Sequence, residues 1–324
     1  GVTPMDEHGY FNMSMSNSHA RAVFYVADII ILEVNEKLPF VHGLENTIHI
    51  SEVDMVIEGE HEGLTEFPSI VAGPVEEQIA ESIVDRMTNG ACIQLGVGGM
   101  PDAIGKLIAE SELKDLGIHT ELLVNAYLDM HKAGKITNLN KHDIMRGKSV
   151  FSIAHGTKEL FDWVSDNPSM CCAPINYVND LSVIGEIDNF VSINSCIAVD
   201  LFGQISAESA GTRHISGTGG QLDFLTAGFK NPRAQSFIAL PSTYTDKKGN
   251  LHSNIKPTFT GGDIITDPRS QAYTMVTEYG IENLAGASVW ERAEKLISLA
   301  HPDFREELIE SAKNVNVWRQ SNKR

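Results

Sequence analysis

NGACIQLGVGGMPDAIGKLIAESELKDLGIHTELL, residues 89–123, is the stretch whose reading decides the architecture. ACIQLGV is an apolar run bounded by glycine and reads as a buried strand. Residues 101–110 carry apolar positions at helical spacing, and GIHTELLV reads as the next strand. The glycines after CIQL fall where a strand ends and a helix begins. Backbone N–H groups there can face an anion with the positive end of the helix behind them. Pro101 suits the first helical turn, where its missing N–H costs nothing.

The same alternation continues outward. PVEEQIAESIVDRM has helical periodicity, TKELFDWVSD reads as a helix starting near Thr157, and VWERAEKLISLA and REELIESAKN read as amphipathic helices at the end of the chain. VADIIILEVN, FVSINSCIAVDLFG and QSFIALPSTYT read as buried strands, and DKKGNL as the turn after the last of them. Residues 51–74 are polar with several glycines and prolines, as a linker or active-site loop would be. Strands alternating with helices argue for an α/β architecture with a largely parallel sheet.

A chain of 324 residues with 42% hydrophobic content can build two α/β domains with real cores. The net charge of −18 speaks against nucleic acid as a partner, because phosphate binding needs a basic surface. There is no apolar run of membrane-spanning length and no signal-peptide pattern at the first residues, so the chain is expected to be soluble, cytoplasmic and free of membrane contacts. Cys92, Cys171, Cys172 and Cys196 form no CxxC pair, and reduced core thiols are expected. The twelve histidines show no metal-binding spacing, so no metal is expected.

Two readings of the quoted stretch compete. Gly96-x-Gly98-x-x-Pro101 followed by Glu121 has the spacing of a dinucleotide site, with the acid about 20 residues on for a ribose hydroxyl. Spacing alone favours a nicotinamide-dependent dehydrogenase, although the third small residue is replaced by Pro101. Alternatively the turn is a setting for a carboxylate that does covalent chemistry. Other signals are weaker. AESAG around Ser209 departs from a nucleophile elbow at Ala207, and His214 and His252 fit no recognised triad order. RGKS at residues 146–149 fails as a phosphate loop because position 142 is His. In HPD, residues 301–303, Asp303 is expected to cap the final helix. Asp200, Asp223 and Glu208 are rival carboxylates near a second glycine loop, SGTGGQ; the first two read as structural, and Glu208 is the reserve nucleophile.

GVGGMPDAIGKL, DLGIHTELL, CAPINYVND, SINSCIAVDLFGQISAESAG, SGTGGQLDF, VTEYG and AHPDFREEL, in this order, give the chain a nearly end-to-end resemblance to the acetyl-CoA hydrolase/transferase family. Within it the chain looks most like the butyryl-CoA:acetate and 4-hydroxybutyrate CoA-transferases. The resemblance implies two related α/β domains of the CoA-transferase type with largely parallel sheets. Family members carry a further N-terminal segment, so the first domain is expected to be incomplete: residues 1–68 as its remnant with the linker, residues 69–324 as the second domain carrying the catalytic glutamate.

By the same resemblance Glu121 is the catalytic residue, and Asn179 is a polar group orienting its carboxylate or the substrate carbonyl. Gly96, Val97, Gly98, Gly99, Met100, Cys196, Gly219 and Gly220 are implied to neighbour coenzyme A. For Asn179 a plain turn or cap role remains open, and for Cys196 a core role in a buried strand. The implied substrates are acyl-CoA and short-chain carboxylates, with coenzyme A as substrate and covalent intermediate, no permanently bound cofactor, and a homo-oligomer. Such chemistry needs an activated acyl carrier, which a glutamate supplies through an anhydride and a thioester. An acetyl-CoA hydrolase of the same family, the dehydrogenase, and a CoA-binding module without catalysis are the alternatives.

Overall fold

The strand that ends the quoted stretch, Gly117–Leu123, lies between Cys92–Leu95 and Ser149–Ala154, all three parallel, with Met170–Cys172 parallel beyond. The architecture is that of a computed structural model describing residues 1–141, 145–228, 231, 233–271 and 273–318. His142, where a phosphate loop would require glycine, lies outside the described residues. The chain forms two compact units: Gly1–Ile70, Thr88–Leu95 and Ile108–Asn189 make the first, and Val71–Met87, Gly96–Leu107 and Phe190–Arg324 the second. Glu121 thus shares a unit with the first 65 residues, whereas a division at residue 68 groups it with everything that follows.

In the first unit the four parallel strands read as near-continuous apolar runs because helices cover them, among them Asn125–Lys132 and Lys158–Val164. The N-terminal segment joins this sheet through backbone bonds from Ala154 N–H to Met15 O (3.0 Å) and from Leu44 N–H to Cys172 O (3.0 Å). It has its own small core of Val2, Phe11, Met13, Leu32, Val34 and Ile48. VADIIILEVN, expected to be a buried strand, yields only Ile31–Val34, with alternate residues buried. That strand pairs in parallel with the exposed Met55–Glu58 and is bridged by Val2, whose N–H bonds Glu33 O and whose carbonyl accepts the Asn35 N–H, both at 2.9 Å.

In the second unit the strand order is Gly280–Asn283, Thr274–Thr277, Gln235–Ala239, Phe190–Ser195. The last three are parallel, and the first closes a hairpin at the edge. Leu225, Ile238, Met275, Leu296 and Leu308 belong to its core, which holds the two C-terminal helices Val289–Ser298 and Pro302–Asn314. The expected α/β class with largely parallel sheets holds in both units. FVSINSCIAVDLFG is not one strand: it breaks between Phe190–Ser195 and Ala198–Asp200, where the Cys196 N–H bonds Ala239 O. The final helix is capped by His301, whose Nδ1 accepts the Asp303 N–H at 3.3 Å, not by Asp303. The imidazole nitrogen sits where a cap oxygen would, and Asp303 takes the first-turn position that the helix dipole favours.

Tyr127 is fully buried, and its hydroxyl accepts the Leu95 N–H at 2.7 Å where the Cys92–Leu95 strand ends. Tyr127→Phe leaves that donor without its acceptor, and a drop of about 1–3 kcal/mol in unfolding free energy is expected in urea titrations.

Candidate active site

Alternation along Gly117–Leu123 puts His119 and Glu121 on one face of the sheet, two residues apart. The short helix Ile175–Val178 meets that face. His119 Nε2 is 2.7 Å from Val178 O and so carries the proton and donates it to the carbonyl. One residue on, Asn179 Nδ2 donates to Glu121 Oε2 at 2.9 Å. Asn179 closes the helix as its C-terminal cap residue, with φ −94° and ψ 4°, its own N–H bonding Ile175 O. Asp180 starts the next helix by accepting the N–H groups of Ser182 and Val183. The cap reading of Asn179 and the Glu121 contact are therefore both true, because the cap conformation turns the side chain toward the strand.

His119 was not singled out from the sequence, although its place two residues before Glu121 on the same face is a usable signal. Burial, and after it the nearby Lys141 ammonium, pull its imidazole down from 6.5 to about 3. It is neutral at any ordinary pH and serves as a fixed donor. Lys141 is also buried, with Nζ donating to Ile118 O and Lys148 O, both at 2.9 Å. Glu121 itself is half-buried. Asn179 holds one carboxylate oxygen without adding a charge, which gives the group a defined direction.

The remaining residues singled out from the sequence lie in the second unit. Gly96 donates its N–H to Ile193 O at 2.9 Å, and a Cβ there would come within 3.2 Å of Asn194 Oδ1. Gly98 has φ +113°, which side chains rarely adopt, so the turn depends on glycine at this point. Val97 is exposed, Gly99 opens the helix Gly99–Glu110 and Met100 is buried within it. Gly219 is exposed and Gly220 buried, the latter at the start of the helix Gln221–Ala227. The Cys196 thiol is raised well above its usual range by burial and by the neighbouring Asp267 carboxylate. It is a poor thiolate.

The rival groups have structural duties. Asp200 accepts from the Phe202 and Gln204 N–H groups and from Gln204 Nε2. Ser209 Oγ is buried and accepts the Ile264 N–H at 2.7 Å, on a strand rather than at a strand-to-helix elbow. His252 is bonded to Asp246 at 3.0 Å. Glu208 is buried and accepts from Thr218 Oγ1 at 3.2 Å. No helix among the described residues is long and apolar enough to cross a membrane.

An α/β chain with a directed carboxylate on a sheet strand and glycine turns at helix starts is a class to which family comparison gives a name. The chain belongs to the acetyl-CoA hydrolase/transferase family: residues 1–65 match the family's N-terminal domain model and residues 156–312 its C-terminal domain model. Glu121 falls between the two matched spans. Butyryl-CoA:acetate CoA-transferase from Anaerostipes caccae is 51% identical over 99% of this chain and 72% of its own. Among solved structures, RipA from Yersinia pestis aligns with TM-score 0.87 at 39% identity, covering 98% of this chain and 69% of that one. The 4-hydroxybutyrate CoA-transferase from Porphyromonas gingivalis aligns with TM-score 0.82 at 36% identity, over 97% and 73%.

Because the folded-state value of His119 lies below 6.5, the unfolded chain binds that proton more tightly than the folded one. The associated stability is present above pH 6.5 and is lost as pH falls toward 3, on the order of several kcal/mol in full. His119→Gln can still donate to Val178 O but does not titrate. Its urea midpoint is expected to fall less between pH 6.5 and pH 4 than that of the unsubstituted protein.

Proposed function

We propose that the chain moves coenzyme A between a short-chain acyl-CoA, butyryl-CoA or similar, and acetate, by a ping-pong reaction through a glutamyl-CoA thioester on Glu121. The observation that carries this reading is the Asn179–Glu121 hydrogen bond at 2.9 Å, which aims a carboxylate without neutralising it. Family membership supports it, as does the 51% identity to a protein named butyryl-CoA:acetate CoA-transferase.

The Glu121 carboxylate attacks the thioester carbonyl carbon, and the C–S bond breaks to release CoA thiolate and leave a mixed anhydride. The thiolate then attacks the glutamyl carbonyl, the acid leaves as its carboxylate, and a glutamyl-CoA thioester remains. Acetate attacks that thioester and the steps run in reverse. Each addition develops negative charge on a former carbonyl oxygen, and backbone N–H donors aimed at it lower the barrier by about 3–4 kcal/mol per donor in comparable sites. Gly96, Val97, Gly98, Gly99, Met100, Gly219 and Gly220 are the proposed donors and CoA contacts, with Cys196 beside the bound coenzyme. A cytoplasmic homo-oligomer, with a family-domain boundary near residue 68, is part of the same proposal. Exclusion of water separates this reaction from hydrolysis, because an exposed anhydride or thioester is lost to solvent.

Intact-protein mass measured after mixing with butyryl-CoA, followed by peptide mapping, tests the reading. A CoA-sized addition on the Glu121 peptide, absent in Glu121→Gln, is expected; an adduct on Ser209 or Glu208, or full turnover in Glu121→Gln, overturns it. Acetate should discharge the adduct much faster than water does. Asn179→Ala should lower kcat by about 10²-fold, since misdirection of a reacting group costs on that order.

A further inference from the structure

The helix Ile175–Val178, which delivers Asn179 to Glu121, has four residues, of which only Val178 is buried. A single turn of that length neither holds itself together in water nor buries enough apolar surface to be placed by packing. Its position comes from its two ends. Val178 O takes the proton of His119, and at the other end the Ile175 N–H donates to Ser18 O at 2.7 Å. Ser18 is itself referenced to the sheet: the N–H groups of Asn17 and Ser18 both reach Ser152 O, at 3.2 and 3.3 Å, and Ser16 is bridged antiparallel to Ile153. Ser152 lies between Phe151 and Ile153, whose partners on the Glu121 strand are Thr120 and Leu122. Asn17 is fully buried, with Nδ2 donating to Leu44 O at 2.9 Å. The contacts close a circuit that starts on the strand beside Glu121, passes through Ser18 and the short helix, and returns to Glu121 through Asn179.

We propose that Ser18 is a positioning residue for the Asn179–Glu121 pair, its backbone carbonyl fixing where the short helix begins and hence where Asn179 ends. The inference deepens the CoA-transfer reading and rests on it for the role of Glu121. Ser18 has φ +43°, the left-handed region that residues other than glycine enter only when their surroundings hold them there. In that conformation the N–H groups of Asn17 and Ser18 face Ser152 O while the Ser18 carbonyl faces Ile175. With an extended backbone at Ser18 the same carbonyl would point elsewhere, and Ile175 would keep an N–H that no residue of its own helix can accept. The Asn179–Glu121 bond is 2.9 Å long, so a displacement of the helix by about 1 Å takes it out of hydrogen-bond range. A misplacement of that size costs a reacting group on the order of 10²-fold in rate.

Two substitutions pull the backbone role apart from a side-chain one. Ser18→Thr keeps the hydroxyl that meets His19 Nδ1 at 2.9 Å but adds a branch at Cβ that resists a positive φ; Ser18→Gly drops the hydroxyl and adopts that φ freely. Ser18→Thr should lower kcat, and the rate at which butyryl-CoA loads CoA onto Glu121, by about fivefold to tenfold, with KM for butyryl-CoA changed by less than about twofold. Ser18→Gly should restore both rates to within about twofold of the unsubstituted protein. In an Asn179→Ala background Ser18→Thr should cost nothing further, because its effect runs through Asn179. The Ile175 amide should exchange faster in Ser18→Thr than in Ser18→Gly. Should Ser18→Thr fail to fold, Asn17→Ala, which loses the bond to Leu44 O, carries the same expectations for kcat, KM and the Asn179→Ala background. An undiminished kcat in the folded Thr variant, a larger loss in Ser18→Gly than in Ser18→Thr, or a full extra loss on top of Asn179→Ala overturns the proposal. Absence of CoA transfer in the unsubstituted protein would instead defeat the functional reading, and the Ile175 exchange rates would still decide whether Ser18 places the helix.

Discussion

The strand Gly117–Leu123 cannot slide by one residue without turning Glu121 to the opposite face of the sheet, away from Asn179. Apolar packing alone specifies such a register loosely, since one β-branched residue replaces another with little loss. Here the register is fixed by buried polar contacts. Ile118 N–H donates to Asn138 Oδ1 at 2.8 Å, Ile118 O accepts from Lys141 Nζ, and His119 reaches Val178 O. The Lys141 side chain also lies so close to Gly117 that a Cβ there would meet its Cγ at 3.0 Å. Breaking any of these contacts leaves a buried polar group without its partner, which costs about 1–3 kcal/mol and more for a charged one. The alternative registers are therefore penalised in a way that hydrophobic contacts do not penalise them.

This explains what was legible in the sequence and what was not. The strand, glycine turn, helix and strand of residues 89–123 follow from local periodicity, and the α/β class follows from their repetition. Pairing Glu121 with Asn179 spans 58 residues and leaves no local mark; it entered through family resemblance. His119 and Lys141 were invisible for a different reason. A lone histidine and a lone lysine are read as surface groups, and only the tertiary structure shows that carbonyls of the helix Ile175–Val178 and of Gly117–Leu123 take their protons. FVSINSCIAVDLFG reads as one strand because the apolar pattern runs on through the break at Cys196, whose N–H the Ala239 carbonyl of another strand accepts.

Donors and burial pull the acids of the chain in opposite directions, and Asp200 is raised by burial although Phe202 and Gln204 donate to it. Asp263 accepts from the Gly211 and Thr260 N–H groups and the Thr260 hydroxyl, and with Lys256 nearby it is held below its usual range although burial opposes this. Asp246 likewise gathers His252, Asn250 and backbone donors and is lowered far below 3.8. Such carboxylates are committed to their turns and make poor nucleophiles, because the electrons an attack would need are already engaged. Asp267 goes the other way, raised by burial and by Glu208.

Glu121 has a neutral amide, that of Asn179, as its partner, and this bears on what its carboxylate can do. An arginine or lysine at position 179 would hold the carboxylate at least as firmly, but its positive charge would stabilise the anion and weaken its attack on a carbonyl carbon. An apolar residue would leave direction to chance and burial to favour the acid form. A neutral amide donor is the intermediate solution: it removes rotational freedom from one oxygen and leaves the other lone pairs with their charge. A carboxylate is a feeble nucleophile at best, so a partner that orients it without quieting it suits covalent chemistry better than an ion pair would. The helix end that delivers Asn179 is in turn anchored by His119, whose neutrality, enforced by burial and Lys141, keeps a second cation away from the same face.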